Sequence, residues 1–373
     1  MSCRSSPWWS CAWNSTRPMA DGSAAAGSTS GGTVVVAGAS FPSLDTERSF
    51  LEPLGCTLVD KRFAADTEVL EVCREAVAVM TDYFVCDAAR IATFERCKVI
   101  CQYGAGLNQV DVAAATAAGI YVTHTPDYCS EELGDHTMAL ILASMRRIVR
   151  FDRNIRAGRW DYNDGMPMRR LADCTLGLVG FGRAARAVAV RAQGFGMTVI
   201  AHDPLVADAS FAAADVTRAA ELADLLATAE VVSVHVPLVQ STRHLIGAKQ
   251  LALLRDGAFL VNTSRGGVID QRALLAELAT GRLGGVGLDV LEQEPPATDD
   301  PLLSCTDAVL TPHTAFLSVE SLELVQTRAG AEVARVLTGE APVYGVNVAG
   351  VRDGRTGDGA AGPDDVALFW REN

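Results

Sequence analysis

The sequence predicts an α/β protein built from two successive parallel sheets. Between residues 33 and 347, short runs rich in Val and Ile alternate with amphipathic stretches of helical length, as they do in βαβ units. This alternation forms two blocks, and a long amphipathic stretch separates them. The chain has 373 residues, of which 49% are hydrophobic and 21% are charged, so it is long enough to bury two cores.

The first block predicts a small parallel sheet of its own. Its helices are expected near residues 45–54, 66–73, 87–95 and 111–118. The β-branched runs around these helices predict five strands, at Thr33–Ala37, Cys56–Val59, Ala76–Met80, Lys98–Gln102 and Ile120–Thr123.

A long amphipathic pattern joins the two blocks. Ser130 is the predicted N-cap of this helix, because Glu131 and Glu132 follow it and a helix N-terminus favours negative charge. The pattern continues to about Arg156, which predicts one long helix that connects the domains or forms a dimer contact.

The second block predicts a doubly wound Rossmann sheet followed by a last helix over Val319–Leu337. Six buried runs have the spacing of a Rossmann sheet, at Leu176–Gly180, Thr198–His202, Val231–Val236, Ala258–Asn262, Gly285–Asp289 and Ala308–Thr311.

The two ends of the chain are expected to lack regular structure. Residues 1–32 are rich in Ser, Gly and Ala and are expected to form a disordered leader, and residues 348–373 are expected to form a flexible tail.

Charge and cysteine spacing argue against several classes of function. A net charge of -13 with no basic run disfavours direct binding to nucleic acid or to an anionic membrane, so small molecules are the expected partners. No apolar run approaches the roughly 20 residues of a membrane span, and no secretory signal pattern is present, so a cytoplasmic protein is expected. The ten cysteines include no C-x-x-C pair and no Cys/His cluster at metal spacing, so no metal is expected.

Residues Thr175–Ala185 carry a dinucleotide-binding fingerprint. A buried-strand pattern leads directly into Gly180, Gly182 and Ala185 in the order G-x-G-x-x-A, and a helical pattern follows. Gly180 would permit the tight turn, and Gly182 would let the backbone approach a pyrophosphate. The pyrophosphate would lie at the helix N-terminus, where free N–H groups favour an anion.

The expected cofactor is NAD(H) rather than NADP(H), and this preference depends on Asp203. An acid at the end of the next predicted strand can accept hydrogen bonds from the adenosine ribose and repels a 2′-phosphate. The alternative is a Gly-rich turn in which Asp203 is only the turn residue before Pro204. The strand, glycines, helix and acid occur in register, which favours the cofactor site.

Three successive strand ends of the second block supply candidates for catalysis. Ligands of open α/β sheets bind beyond the carboxyl ends of the strands, and Arg265, Glu294 and His313 each follow one predicted strand. Hydride exchange between NADH and a 2-oxo acid needs a cation, a proton donor and an anion that orients the donor. Arg265 would bind the carboxylate, His313 would exchange the proton, and Glu294 would orient the imidazole ring.

Other assignments stay open from the residues alone. Arg265 could lie in a surface turn, because two glycines follow it. Glu292 is a rival to Glu294 as the carboxylate, and His235 also ends a predicted strand. Asp289 could contact the nicotinamide amide or only cap a turn.

These positions resemble the D-isomer-specific 2-hydroxyacid dehydrogenase family over about residues 33–347. The resemblance rests on the following motifs: Gly104-Ala105-Gly106 with Val110-Asp111, Gly180-Phe181-Gly182, Asn262-Thr263-Ser264-Arg265-Gly266 with Ile269-Asp270, Asp289-Val290-Leu291-Glu292-Gln293-Glu294-Pro295, and Thr311-Pro312-His313.

The resemblance implies an NAD-dependent oxidoreductase that interconverts a D-2-hydroxy acid and a 2-oxo acid. It implies two Rossmann-like or flavodoxin-like parallel-sheet domains, with the cofactor domain inserted in the substrate domain. The substrate domain would comprise residues 33–125 and a C-terminal helix within residues 313–347, and the NAD-binding domain would comprise residues 126–312. A homodimer built through the NAD-binding domain is also implied.

The resemblance further implies the site residues. Catalysis would fall to Arg265, Glu294 and His313. The substrate would contact Tyr103, Gly104, Ala105, Gly106, Arg265, His313 and Phe316, with the backbone N–H groups of Ala105 and Gly106 holding its carboxylate. The cofactor would contact Gly180, Phe181, Gly182, Arg183, Ala184, His202, Asp203, His235, Pro237, Thr242, Thr263, Ser264, Arg265, Asp289 and His313.

Two features resemble the branch of the family that contains the C-terminal-binding-protein corepressors. They are the stretch Asp127–Glu132 and Phe316. The alternative function is therefore an NAD(H)-sensing corepressor or scaffold with little turnover.

Where many members of the family read Asp-Asn, this chain has Asn108-Gln109, which alters the edge of the substrate loop. Aromatic residues near the expected pocket, Tyr103, Tyr128 and Phe316, predict an apolar or aromatic substrate side chain.

Overall fold

The computed structural model describes residues 31–39, 41–62 and 64–352, and within them the chain forms two parallel sheets. The first sheet has the strand order β2-β1-β3-β4-β5. Its strands are β1 (Thr33–Ala37), β2 (Thr57–Lys61), β3 (Ala78–Thr81), β4 (Val99–Gln102) and β5 (Tyr121–Thr123). Val34, Val35 and Val36 are fully buried, because helices cover both faces of this sheet.

The second sheet has seven strands in the order β12-β11-β10-β9-β6-β7-β8. They are β6 (Thr175–Val179), β7 (Thr198–His202), β8 (Thr217–Arg218), β9 (Val231–Val234), β10 (Phe259–Asn262), β11 (Gly285–Leu288) and β12 (Ala308–Leu310). The central strand β6 pairs with β7 on one side and β9 on the other, so the strand order reverses there. A crevice opens at such a reversal, and this doubly wound order confirms the predicted fold class.

Helices connect nearly all of these strands. They are α1 (Asp45–Leu51), α2 (Asp66–Cys73), α3 (Ala88–Ile91), α4 (Val112–Ala117), α5 (Ser130–Met145), α6 (Ile148–Arg156), α7 (Arg183–Gly194), α8 (Asp208–Ala213), α9 (Leu222–Thr228), α10 (Ala248–Leu251), α11 (Gln271–Ala279), α12 (Val319–Leu337) and α13 (Val348–Arg352). Within the described ranges, no helix has the length and apolar character needed to cross a membrane.

The prediction of a single helix from Ser130 to Arg156 is wrong. The chain leaves the helical conformation after α5, because Arg147 adopts a left-handed backbone with φ of 55°. Its guanidinium donates a hydrogen bond of 2.6 Å to the carbonyl of Gly284, which fixes the break against the second sheet. The N-cap prediction is also wrong, since α5 begins at Ser130 and its cap residue is Cys129, which makes no side-chain cap bond.

After the second sheet the chain returns to the first. Val325, Ala329 and Val333 of α12 belong to the same buried cluster as β1 and β4. The Asn347 side chain then accepts a hydrogen bond of 2.8 Å from the Val122 N–H of β5. The expected insertion of one sheet domain within the other is therefore confirmed.

The two predicted tails fall largely outside the described residues. Of the leader, residues 1–30 are not described, and β1 begins at Thr33. The tail prediction needs correction at its start, because residues 348–352 form α13, which packs against α4 and β5. The side chain of Asn347 explains this order, since it also donates to the Ile120 carbonyl and ties the start of α13 to the sheet.

Candidate active site

A cleft of about 1340 Å³ lies where the carboxyl ends of the two sets of strands face each other. Its volume exceeds that of a typical drug-sized pocket of about 300–1,000 Å³, so it can hold a dinucleotide and a small substrate together. Every predicted site residue except Phe181 lines it. The structure thus brings together, in one crevice, residues from strand ends far apart in the sequence.

The turn between β6 and α7 forms one wall of the cleft. Gly180 has a φ of 90°, a conformation that side chains disfavour, and its N–H donates to the His202 carbonyl at 2.9 Å. A Cβ atom placed on Gly182 would meet no atom within 4 Å, so the backbone borders open space. The helix α7 begins at the next residue with unpaired N–H groups, and this turn therefore fits a dinucleotide pyrophosphate.

Phe181, which was predicted to contact the cofactor, does not line the cleft. Its ring is fully buried and stacks on Phe211, with 4.6 Å between ring centroids. Its backbone N–H donates to Asp203 Oδ2 at 2.9 Å, and the Leu205 N–H donates to Oδ1 at 2.9 Å. Asp203 therefore links the end of β7 to the glycine turn, while its carboxylate still lines the cleft.

His313 and Glu294 form a close pair at the other end of the cleft. The distance between His313 Nδ1 and Glu294 Oε2 is 2.6 Å. Partial burial raises the pKa of Glu294, but the hydrogen bond and charge of His313 lower it by more, so the net shift is downward and the carboxylate stays ionised. Glu294 also accepts the Leu291 N–H at 2.9 Å. The contact with Glu294 engages Nδ1 of His313, and among the described residues no hydrogen bond engages its Nε2 atom.

Arg265 reaches across the cleft to the loop that follows β4. Its Nε donates to Asn108 Oδ1 at 3.3 Å, and a Cβ on Gly106 would lie only 1.9 Å from its NH2 atom. A further hydrogen bond of 2.7 Å runs from NH1 to the Ser264 carbonyl. Arg265 thus does not lie in a surface turn, because its guanidinium is half-buried against the first sheet's loop.

Contacts in the structure distinguish Glu294 from Glu292 and His313 from His235. Glu292 forms an ion pair with His244 and accepts the Gln271 N–H, so it does not face His313. Burial lowers the pKa of His235 to about 4, and its Nε2 lies 2.9 Å from Ser233 Oγ. A histidine with so low a pKa is a poor general acid near pH 7, whereas His313 has a carboxylate partner in Glu294.

Asp289 holds the loop that carries His313. Its carboxylate accepts hydrogen bonds from Thr311 Oγ1 at 2.6 Å and from the backbone N–H groups of Thr314 and Ala315 at 2.9 Å each. Burial raises the pKa of Asp289, but these hydrogen bonds and one from His136 outweigh burial and bring it to about 2. The two roles predicted for Asp289 from the sequence were a contact with the nicotinamide amide and a turn cap. Neither prediction included its support of the loop that carries His313.

Sequence reasoning missed two polar residues of the first sheet that also border the cleft. Asp82 directly follows β3, and Gln102 ends β4. Both occupy carboxyl ends of strands, so the rule that identified Arg265 and His313 in the second block would also have found them in the first.

Comparison with known proteins supports one family. Residues 138–315 match the family described as D-isomer specific 2-hydroxyacid dehydrogenase, NAD binding domain. A glyoxylate reductase of Korarchaeum cryptofilum is 39% identical over 284 residues, which are 75% of this chain and 84% of that protein. A D-3-phosphoglycerate dehydrogenase of Methanocaldococcus jannaschii is 35% identical over 263 residues, which are 70% of this chain and 50% of that protein, so the chain spans half of this longer relative.

Solved structures share the fold over most of the chain. A protein of Thermus thermophilus has a TM-score of 0.77 at 33% sequence identity, covering 84% of this chain and 99% of its own. A D-lactate dehydrogenase of Aquifex aeolicus, crystallised with NAD and lactic acid, has a TM-score of 0.74 at 27% identity, covering 82% of this chain and 96% of its own.

Proposed function

This chain belongs to the D-isomer-specific 2-hydroxyacid dehydrogenase family, and from that membership we propose the residues that carry out its NAD-dependent reaction. The reaction interconverts a 2-oxo acid and a D-2-hydroxy acid. The single observation that carries the assignment is the His313–Glu294 pair, which shares one cleft with Arg265. The names of the relatives, glyoxylate reductase and D-lactate dehydrogenase, support a small 2-oxo acid as substrate.

Substrate binding falls to Arg265 and to the loop Gly104–Gly106. The guanidinium of Arg265 lies directly against Gly106, so a carboxylate bound beside this contact would meet a planar cation and backbone N–H groups. Phe316 closes this part of the cleft, with its ring centroid 6.4 Å from that of His313. In this arrangement the carbonyl group of the substrate lies beside His313.

The proton is handled by His313. When NAD(H) is bound along the glycine turn, it supplies or accepts the hydride at the C2 atom of the substrate. In the direction of reduction, Nε2 of His313 donates a proton to the carbonyl oxygen, and in oxidation it accepts the hydroxyl proton. Glu294 keeps the proton on Nδ1 and stabilises the charged imidazolium, as an anion beside a general acid does.

A homodimer through the second sheet domain is part of the proposal. The segment from α6 to residue 166 exposes several large apolar side chains, and exposed apolar surface of this kind is typical of an interaction surface. Ile148 and Ile155 are each 54% exposed, and Trp160 is 89% exposed.

The experiment that tests the proposal measures NADH oxidation with glyoxylate, pyruvate, hydroxypyruvate and phenylpyruvate. We expect turnover of at least one of them and a loss of about 10²–10⁴-fold in kcat for His313→Gln, because that variant lacks the proton donor. His244→Gln is the matched control, since His244 pairs with Glu292 and does not itself line the cleft, so kcat should stay unchanged.

Two outcomes would contradict the proposal. Full activity of His313→Gln would exclude the proton-transfer role of this histidine. If the wild-type protein reduced none of the four substrates but self-associated on addition of NAD(H), the alternative of a corepressor-like or scaffold protein would be favoured.

A further inference from the structure

Asp82 presents a carboxylate to the substrate end of the cleft that the proposed mechanism does not use. The residue follows β3 directly, its side chain is half-buried, and it lines the cleft together with Arg265 and His313. Gln102, at the end of the neighbouring strand, donates through Nε2 to the Asp82 carbonyl at 3.0 Å and makes a longer contact of 3.4 Å with Asp82 Oδ1.

Gln102 holds the backbone of Asp82. Its Nε2 also donates to the Tyr103 carbonyl at 3.0 Å, so its two N–H groups are taken by two backbone carbonyls, which defines the amide orientation. Within residues 31–39, 41–62 and 64–352, no group donates a hydrogen bond to Asp82 Oδ2. The Asp82 carboxylate therefore makes only the long contact with Gln102 Nε2, and its Oδ2 atom is available to a ligand.

The electrostatic surroundings of Asp82 agree with this placement. Burial raises the pKa of the Asp82 carboxyl to about 7, and the positive charges of His313 and Arg265 act in the opposite direction. The part of the cleft wall that the described residues of the first sheet domain supply, from Phe41 to Ala113, contains no Lys or Arg. The positive charges that act on Asp82 therefore come from His313 and Arg265 on the second sheet domain, across the cleft.

We propose that Asp82 determines substrate specificity by accepting a hydrogen bond from the side chain of the 2-oxo acid. The chemical class is a 2-oxo acid whose side chain carries a hydroxyl or a cationic group and no second negative charge. The inference rests on the proposed function, because Arg265 must hold the substrate carboxylate and His313 must face the carbonyl oxygen. With these two groups engaged, the substituent on C3 is the part of the substrate left to reach Asp82.

A site built to hydrogen-bond a substrate group discriminates strongly against an analogue that lacks the group, because a desolvated acceptor would be left without a partner. A second anion on the substrate would instead be placed near a carboxylate in a partly desolvated cleft, where like charges repel strongly.

This inference opposes the sequence-based prediction of an apolar or aromatic substrate side chain. The Tyr103 hydroxyl donates to Glu47 at 2.8 Å, so its polar end points into the core rather than into the cleft. Tyr128 and Phe316 form an apolar wall, with 6.3 Å between their ring centroids. A phenyl group that extended beyond this wall would cover the Asp82 carboxylate without offering it a donor.

The experiment uses matched substrates that differ in one group, assayed with NADH at about pH 8, above the pKa of Asp82. Hydroxypyruvate is compared with pyruvate, and 5-guanidino-2-oxopentanoate with 2-oxopentanoate, so that hydroxyl and cationic donors are distinguished. The effect of a second negative charge on the substrate is tested by comparing 2-oxoglutarate with 2-oxopentanoate. The quantity measured is the ratio of kcat/KM within each pair, which cancels any general change in activity.

We expect the wild-type protein to favour at least one donor-bearing substrate over its matched partner by about 100-fold or more. Asp82→Ala should reduce that ratio by at least about tenfold. Asp82→Asn keeps an acceptor but removes the charge, so it should raise kcat/KM for 2-oxoglutarate relative to 2-oxopentanoate. Glu75→Gln is the matched control: this exposed carboxylate lies outside the cleft, its substitution changes the net charge equally, and every ratio should stay unchanged.

Unchanged ratios in both Asp82 variants would overturn the inference, as would a wild-type preference for phenylpyruvate or 2-oxoglutarate. Glyoxylate separates this failure from failure of the proposed function, because it has no side chain that could reach Asp82. If glyoxylate is reduced while the ratios do not respond to Asp82, only the specificity inference is wrong. If no 2-oxo acid is reduced, both proposals are wrong.

Discussion

At the scale of single residues, the cleft depends on backbone positions that exclude a side chain. Gly104 has a φ of 92°, and its N–H donates to Thr125 Oγ1 at 2.7 Å, which fixes the loop after β4. Gly106 has no such conformational requirement but faces the Arg265 guanidinium at close range. The loop is therefore shaped by a positive φ that favours glycine at one position and by the space left for Arg265 at the other.

Gly106→Ala tests whether the position of Arg265 matters for catalysis. The added Cβ would lie 1.9 Å from the NH2 atom of Arg265, so the guanidinium must move. We expect kcat/KM to fall by about 100-fold, since a displacement of about 1 Å in a positioning group can cost that much. Gly194→Ala, which adds a methyl group to open space at the end of α7, should leave kcat/KM unchanged. Equal activities of the two variants would contradict the assignment.

Asp203→Ala tests the cofactor preference. The carboxylate lies at the end of β7 beside the glycine turn, where it would repel the 2′-phosphate of NADP(H). The ratio of kcat/KM for NADH to that for NADPH should fall by at least about tenfold in this variant. Asp224→Ala on the exposed face of α9 is the control. An unchanged ratio in Asp203→Ala would show that another group selects the cofactor.

At the scale of helices and strands, a buried carboxylate joins α1, α12 and the end of β4. Glu47 is fully buried, and it accepts hydrogen bonds from the Tyr103 hydroxyl at 2.8 Å and from Gln326 Nε2 at 3.0 Å. Tyr103 directly precedes the substrate loop. The hydrogen bonds of Glu47 therefore connect the C-terminal helix α12 to the loop that faces Arg265. This connection requires α12 to return to the first sheet.

The pH dependence of stability should report on Glu47. Burial raises its pKa above the ordinary value of 4.5, and the hydrogen bonds from Tyr103 and Gln326 only partly offset that effect. The folded protein then holds the proton more tightly than the unfolded chain, so this contribution to stability is complete at low pH and is lost as the pH rises.

Glu47→Gln cannot ionise and should gain stability relative to the wild-type protein as the pH rises from about 4 to 7. The measurement is the free energy of unfolding in urea at several pH values. Glu323→Gln, on the exposed side of α12, should show no such trend. A difference between Glu47→Gln and wild type that is independent of pH would contradict the argument.

At the scale of the whole molecule, the two parallel sheets turn their carboxyl ends toward one cleft, and Asn108 bridges them. Its side chain accepts from Arg265 Nε and donates to the Leu238 carbonyl, each at 3.3 Å. The outer surface differs, because the segment after α5 exposes apolar side chains, of which Tyr162 is 77% and Met166 is 62% exposed. The cleft accounts for catalysis, and the exposed segment accounts for the proposed dimer.

The proposed dimer predicts a mass change in a surface variant. The wild-type protein should have the mass of a dimer in light scattering at micromolar concentration, and the double variant Ile155→Asp with Trp160→Ala should be monomeric, because it places a charge in the apolar contact. Val343→Asp is the control, since Val343 is 63% exposed but lies beyond α12, away from that segment. A monomeric wild-type protein would exclude the dimer.

The sequence by itself determined the features that local patterns encode. The β-branched runs predicted most strand bounds to within two residues, because a strand buried on both faces needs a continuous apolar run. The glycine turn before α7 was predicted for the same kind of reason, since a positive φ and a close approach of the backbone require glycine locally. The two-residue strand β8 was missed, because both of its residues are exposed and carry no apolar signal.

Only the tertiary structure decided which side chains face one another. Glu292 and Glu294 are two residues apart and equivalent in sequence pattern, yet one pairs with His244 and the other with His313. The break at Arg147 depends on a carbonyl of a distant strand end, and the position of Asp82 beside Arg265 depends on how the two sheets are oriented. Such distances are set by sheet topology and by the packing of α12, and spacing along the chain does not encode them.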